Sequence, residues 1–95
     1  MNAVRGEVAV ELAGARRRLC LTLGALAEME AGLSVQGMAA LSERLGRMSA
    51  GDLLVVLAAL LRGGGEVELA DGRARAQVDA GAAARAVAEA FRASV

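Results

Sequence analysis

Acid–base and nucleophilic chemistry draw on a short menu of residue types, and this chain is poor in them. It contains no histidine and a single cysteine, Cys20. The commonest general base, the Ser-His triads and most zinc sites are therefore out of reach. Cys20 has no His to activate it as a thiolate and reads as a small strand residue. Carboxylates come in three close pairs, Glu7/Glu11, Glu28/Glu30 and Glu66/Glu68. Paired carboxylates divide acid and base roles when an apolar pocket separates their pKa values. Glu7 and Glu11 fall on the polar side of an alternating segment, and Glu28 and Glu30 stand about 200° apart around a helix. Each pair reads as solvated surface.

Gly63-Gly64-Gly65 has the composition of a phosphate loop, but such loops leave a strand and open a helix. This run closes a helical pattern and reads as a helix stop. Arg16-Arg17-Arg18 is the one basic cluster. On a strand its members alternate in direction, and no neighbouring aromatic offers a base-stacking platform. It reads as a solvated strand face, with an acidic protein partner as the second reading. Met29, Met38 and Met48 read as adaptable core filler before they read as a peptide groove. No catalytic residue, cofactor or metal site is expected, and the chain is not expected to be an enzyme.

The elements that position these residues follow from patterning. Val8, Val10 and Leu12 alternate with Glu7, Ala9 and Glu11, as in a half-buried strand. With Arg16–Leu21 they predict a hairpin over about 7–21. A Gly14-Ala15 loop of type II′ would set Leu12 opposite Arg17, Val10 opposite Leu19 and Val8 opposite Leu21. A one-residue slip would put Arg16 and Arg18 on the apolar face. Thr22 caps a helix over about 23–31 with Gly32 as its stop. Ser34 caps another over about 35–47, with Val35, Met38, Leu41, Leu45 and Met48 on one side and Arg44 on the other. Ser49 and Asp52 form an acidic capping box for a helix over about 50–62. Asp79 caps the last, about 80–93, with Ala80, Ala84, Val87 and Phe91 as its stripe and an Arg85–Glu89 pair on the solvent side. Residues 66–78 stay open between a hairpin at Asp71-Gly72 and a short helical segment. The predicted fold is α+β, an N-terminal β-hairpin followed by a bundle of about four α-helices, in one small domain over 1–95.

Bulk properties agree with that plan. The chain has 95 residues, 56% of them apolar, one aromatic residue and zero formal net charge. Zero charge gives no field to attract nucleic acid. The longest apolar run, Leu53–Leu61, has nine residues, whereas a spanning helix needs about 20, so no membrane segment is expected. No signal peptide is visible at the N-terminus, and one Cys fits a reducing cytosol. The third helix is apolar nearly all round, with Leu53, Val56, Leu57, Leu60 and Leu61 as its main face. Leu54 and Val55 fall outside that face. Surplus apolar surface on a chain this small favours an interaction protein, and Leu54, Val55, Met38 and Met48 are the candidate partner-binding residues.

The ordered segments GEVAVELAG, LCLTLGALAEMEAG, LSERLGRMSAGDLLVVLAALLRGGG and GAAARAVAEAFRAS resemble one family across about residues 6–94. It is the small tail protein of gene transfer agents and related prophage and phage tail clusters, grouped with tail assembly chaperones. The resemblance implies a virion morphogenesis factor in the cytoplasm of the producing bacterium, binding the tail tape-measure protein through apolar helix surface. The alternative it implies is a tail-tube or tail-completion subunit retained in the particle, contacting tail-tube protein or forming a homo-oligomer. The family's residues favour a helix over 66–78. No binding residue is carried over from it.

Overall fold

Six residues of clean alternation, Glu7 to Leu12, need a second strand and an apolar backing to hold them. A computed structural model supplies both and describes residues 6–94. The elements are β1 (Glu7–Leu12), β2 (Ala15–Cys20), α1 (Leu23–Leu33), α2 (Met38–Leu45), α3 (Ala50–Gly63), α4 (Val67–Asp71), a 3-10 turn (Arg73–Gln77) and α5 (Ala80–Ala93). The fold is α+β, an antiparallel hairpin followed by helices, four of them longer than two turns. Among the described residues, the candidate partner-binding positions Leu54 and Val55 lie on α3 and Met38 opens α2, while Met48 lies in the loop before α3.

The hairpin register differs from the expected one by two residues. Val8 faces Leu19, Val10 faces Arg17 and Leu12 faces Ala15. The loop is Ala13-Gly14, with φ of 53° and 79°, not Gly14-Ala15. Two positive φ values make the mirror-image turn whose twist suits the flanking strands. Ala13 bears the left-handed conformation at a cost of roughly 1 kcal/mol. Arg17 closes over the turn, donating from Nε to the Leu12 carbonyl at 3.1 Å and from Nη2 to that of Ala13 at 3.4 Å. A slip of two preserves side-chain facing, so Arg16, Arg18 and Cys20 still lie opposite the Val8/Val10/Leu12 face.

Three helix starts match the capping chemistry read from the sequence. Thr22 Oγ1 accepts from the Ala25 amide, the Asp79 carboxylate from the Ala82 amide, and Ser49 and Asp52 form a reciprocal capping box. The first helix boundary is different. α1 runs through Gly32 and ends at Ser34, whose φ is 57°. Ser34 therefore closes α1 and does not cap α2, which starts only at Met38. Gly32 is needed for closeness: a Cβ there would meet Val55 Cγ1 of α3 at 2.5 Å.

The last helix keeps Val87 and Phe91 of its expected stripe against the core but not the two alanines. Ala83, Ala86, Val87 and Ala90 are buried, while Ala80 and Ala84 are exposed. Alanine adds little apolar area, but it lets α5 approach both β1 and α3. Glu89 pairs with Arg92 at 2.7 Å, not with Arg85. Residues 67–71 are helical, so Asp71-Gly72 makes no hairpin. As a helix the segment buries the adjacent Leu69 and Ala70 against α3, which strand alternation could not do. Asp71 accepts from Arg62 Nη1 at 2.7 Å.

α3 is the axis of the molecule. Val56 to Leu61 are all buried, because α1, β2, α4 and α5 pack around it. Each fully buried Leu or Val there stabilises by about 1.5–3 kcal/mol. The helix ends against β2 so tightly that a Cβ on Gly63 would fall on the Cys20 carbonyl and one on Gly64 on the Arg18 carbonyl. The glycine run is thus a backbone contact as well as a stop. Gly64→Ala should destabilise by about 1–3 kcal/mol through overpacking, seen as a lower urea midpoint. Gly65, with φ of +86° and no close neighbour but the Arg18 side chain, should accept Asn with much less loss.

Candidate interaction surface

The residues that could have done chemistry are dispersed by the fold. Glu28 binds Arg62 Nε at 3.0 Å, while Glu30 accepts from the Gly37 amide at 2.7 Å. Glu66 accepts from the Arg18 amide at 3.0 Å and stands 3.7 Å from Arg17, whereas Glu68 is exposed. Among the described residues no group of three His, Cys, Asp or Glu side chains could hold a metal ion. Cys20 is buried because the end of α3 covers its backbone. Burial first, and the negative charge of Glu7 second, push its thiol above the ordinary cysteine range, which disfavours the nucleophilic thiolate.

The basic cluster is divided as strand geometry requires. Arg17 is drawn inward to the turn carbonyls and Glu66, while Arg16 and Arg18 remain exposed. Arg62 joins α3 to α1 through Glu28 and to α4 through Asp71. Arg44, expected on the solvent side of α2, instead forms the best-made polar contact in the molecule. Its Nε and Nη2 donate to the two Asp52 oxygens at 2.8 and 2.9 Å, and Nη1 donates to the Leu33 carbonyl at 2.8 Å. One guanidinium thus ties α2 to the end of α1 and the start of α3. Such two-pronged pairs carry both energy and orientation.

The four candidate partner-binding residues do not form one surface. Val55 is half-buried, packed against the core beside Gly32. Leu54 is half-buried and sits between two shallow recesses, one lined by Leu53, Val78 and Ala83 and the other by Ala31, Val55 and Ala58. Met48 lines a separate groove with Leu45, Val87 and Phe91. Met38 stands 62% exposed at the start of α2. Sequence reasoning missed Leu23 and Val67, which are 82% and 50% exposed. Both follow residues at the junction of β2 and α3: Thr22 lies beside Gly63, and Glu66 binds Arg18. The only sequence signal for either was its place directly after a helix start, where a side chain has one turn fewer to pack on.

The hairpin supplies the other open feature. With a two-residue loop, Leu12 and Ala15 form a hydrogen-bonded pair, and pairs alternate from there. Glu7, Ala9 and Glu11 therefore direct their amides and carbonyls away from β2, and Arg16, Arg18 and Cys20 direct theirs away from β1. The bond from the Arg18 amide to Glu66 follows this geometry and, with the α3 glycines, covers the β2 edge. Among the described residues no group bonds the outward amides of Ala9 and Glu11.

No helix among the described residues is long and apolar enough to cross a membrane. Fold and surface together define a small α+β protein whose open features are a strand edge and apolar helix positions, the kind of surface used for assembly. The chain belongs to the family described as phage tail tube protein, GTA-gp10, whose model matches residues 5–95. No curated protein and no solved structure matches it. The gene transfer agent and phage tail relationship read from the sequence holds. The family description corresponds to the retained tail subunit, the alternative reading, better than to a chaperone.

Two outcomes follow from these contacts. Arg44 first, against opposing burial, holds the Asp52 carboxyl below the ordinary aspartate range, with Ser49 assisting. Stability from a lowered carboxyl pKa is fully present above the unfolded value, about pH 4, and is lost as pH falls through the folded value. The gap in melting temperature between the native chain and Asp52→Asn should be widest near neutrality and close below about pH 4; thermal melts by circular dichroism at both pH values test this. Separately, Val55→Ala should cost about 1–3 kcal/mol and Leu54→Ser about 1 kcal/mol or less, read from urea midpoints.

Proposed function

We propose that this chain is a structural, non-enzymatic subunit of a phage-like tail tube, assembled with further copies or with other tail proteins and retained in the particle. The observation that carries the reading is the match to the tail tube family across nearly the whole chain. The fold agrees with it in kind. Glu28, Asp52 and Glu66 are engaged in internal ion pairs and caps, while its open features are strand edge and exposed apolar side chains.

Such a subunit works by presenting fixed surfaces, and α3 gives the chain the rigidity for that. Free copies would expose Leu23, Met38 and Val67, and contact with neighbouring subunits would cover them. Tail protein, not nucleic acid or membrane, is the partner class, since the chain has no net positive charge.

Quantitative mass spectrometry of purified particles tests the reading. The subunit should be present in stoichiometric amounts, and deleting its gene should leave particles without complete tails. Tails lost on deletion but the chain absent from purified particles, with tape-measure protein co-purifying from cells, would replace the reading with the chaperone one.

A further inference from the structure

Strand β1 is open on one side, and what lies beside that opening specifies an occupant. The outward amides and carbonyls of Glu7, Ala9 and Glu11 form a row with Ala9 and Glu11 exposed. Glu7 and Glu11 make no ion pair among the described residues. Next to the same edge, β1 and α5 enclose a shallow recess lined by Val10, Glu11, Ala82, Arg85, Ala86 and Glu89. It exists because α5 presents alanines there, leaving room above Val10 for small apolar side chains.

We propose that the outer edge of β1 receives an extended segment of a partner protein as a third, antiparallel strand. Main-chain bonds would run to Ala9 and Glu11, and alternate side chains would supply the selectivity. On the face of Glu7 and Glu11 the segment carries Arg or Lys, because opposite charges directly across a ladder stabilise and like charges destabilise. On the other face it carries small apolar residues such as Val or Ala, which enter the recess over Val10, Ala82 and Ala86. The hairpin already uses the same arrangement once, with Arg16 opposite Glu11.

The charge pattern also selects against the simplest other occupant. Two copies pairing β1 to β1 about a two-fold axis centred at Ala9 would set Glu7 opposite Glu11 twice. The second strand, β2, offers no replacement, since its outer edge is closed by Glu66 and the α3 glycines. The inference rests on the hairpin and α5 and does not depend on the tail-tube reading, so the two succeed or fail separately.

Proline placement tests it. The Ala9 amide points away from β2, so Ala9→Pro removes an edge donor and no hairpin bond, while Val10→Pro removes a ladder bond and should unfold the hairpin. A fluorescent peptide RVRVRV, with EVEVEV as its charge-reversed control, is titrated against the folded full-length chain by anisotropy. RVRVRV should bind and EVEVEV should not. Ala9→Pro and the double variant Glu7→Lys/Glu11→Lys should each weaken RVRVRV by about tenfold or more, and the double variant should gain affinity for EVEVEV. If Ala9→Pro fails to fold, the double variant alone decides. Unchanged RVRVRV binding by a folded variant would overturn the proposal. So would light scattering that shows a native dimer abolished by Ala9→Pro, which would assign the edge to a second copy.

Discussion

The backbone of α3 runs into the backbone of β2, and the rest of the molecule is arranged around that approach. Side chains keep most helices and strands well apart. Gly63 and Gly64 remove that spacing, so the carbonyls of Arg18 and Cys20 lie where two Cβ atoms would be. The hairpin is thereby joined to the helical part by main chain as well as by apolar contact. Glu66, placed by the same turn, then binds the Arg18 amide. A two-stranded hairpin alone is marginal in water, and this junction together with α5 on its apolar face holds it.

A second close approach, Gly32 on Val55, serves the other side of α3. With one aromatic residue and many alanines, the chain cannot fill a deep core with bulk. It compensates by bringing backbones close, so that small side chains still exclude water. Arg44 and Arg62 complete the tie at the surface, each linking three segments through carboxylates and, for Arg44, the Leu33 carbonyl. These arginines lie between helices in a chain with no net charge. Their role is to fix helix positions, not to attract a distant anion.

The same economy shapes the outward surface. Because internal ion pairs take up Glu28, Asp52, Glu66 and Asp71, the acids left at the sheet edge are Glu7 and Glu11. Because α5 packs through alanines, a recess remains beside them. An assembly protein needs a rigid body and a few unsatisfied edges, and here both come from glycine and alanine placement. The tail tube family assignment is consistent with a chain built to present fixed surfaces.

Local chemistry determined a good deal on its own. The α+β order, the strand faces, the caps at Thr22, Ser49 and Asp79 and the central place of α3 are written in periodicity and capping residues, which act over a few positions. What only the tertiary structure decided involves atoms distant in sequence. Gly32 read as a stop is a contact with Val55, twenty-three residues on. Arg44 read as solvated finds Asp52 and Leu33 once α2 folds back. The hairpin register moved by two, which side-chain alternation cannot sense because facing is unchanged. Asp71-Gly72, a sound turn signal locally, gave way because a helix there buries Leu69 and Ala70 on α3. Leu54 and Val55 look alike in sequence, yet Val55 packs on Gly32 of α1 and borders one recess, while Leu54 borders two. Pattern fixes which residues can be buried; the distance at which helices and strands meet decides which ones are.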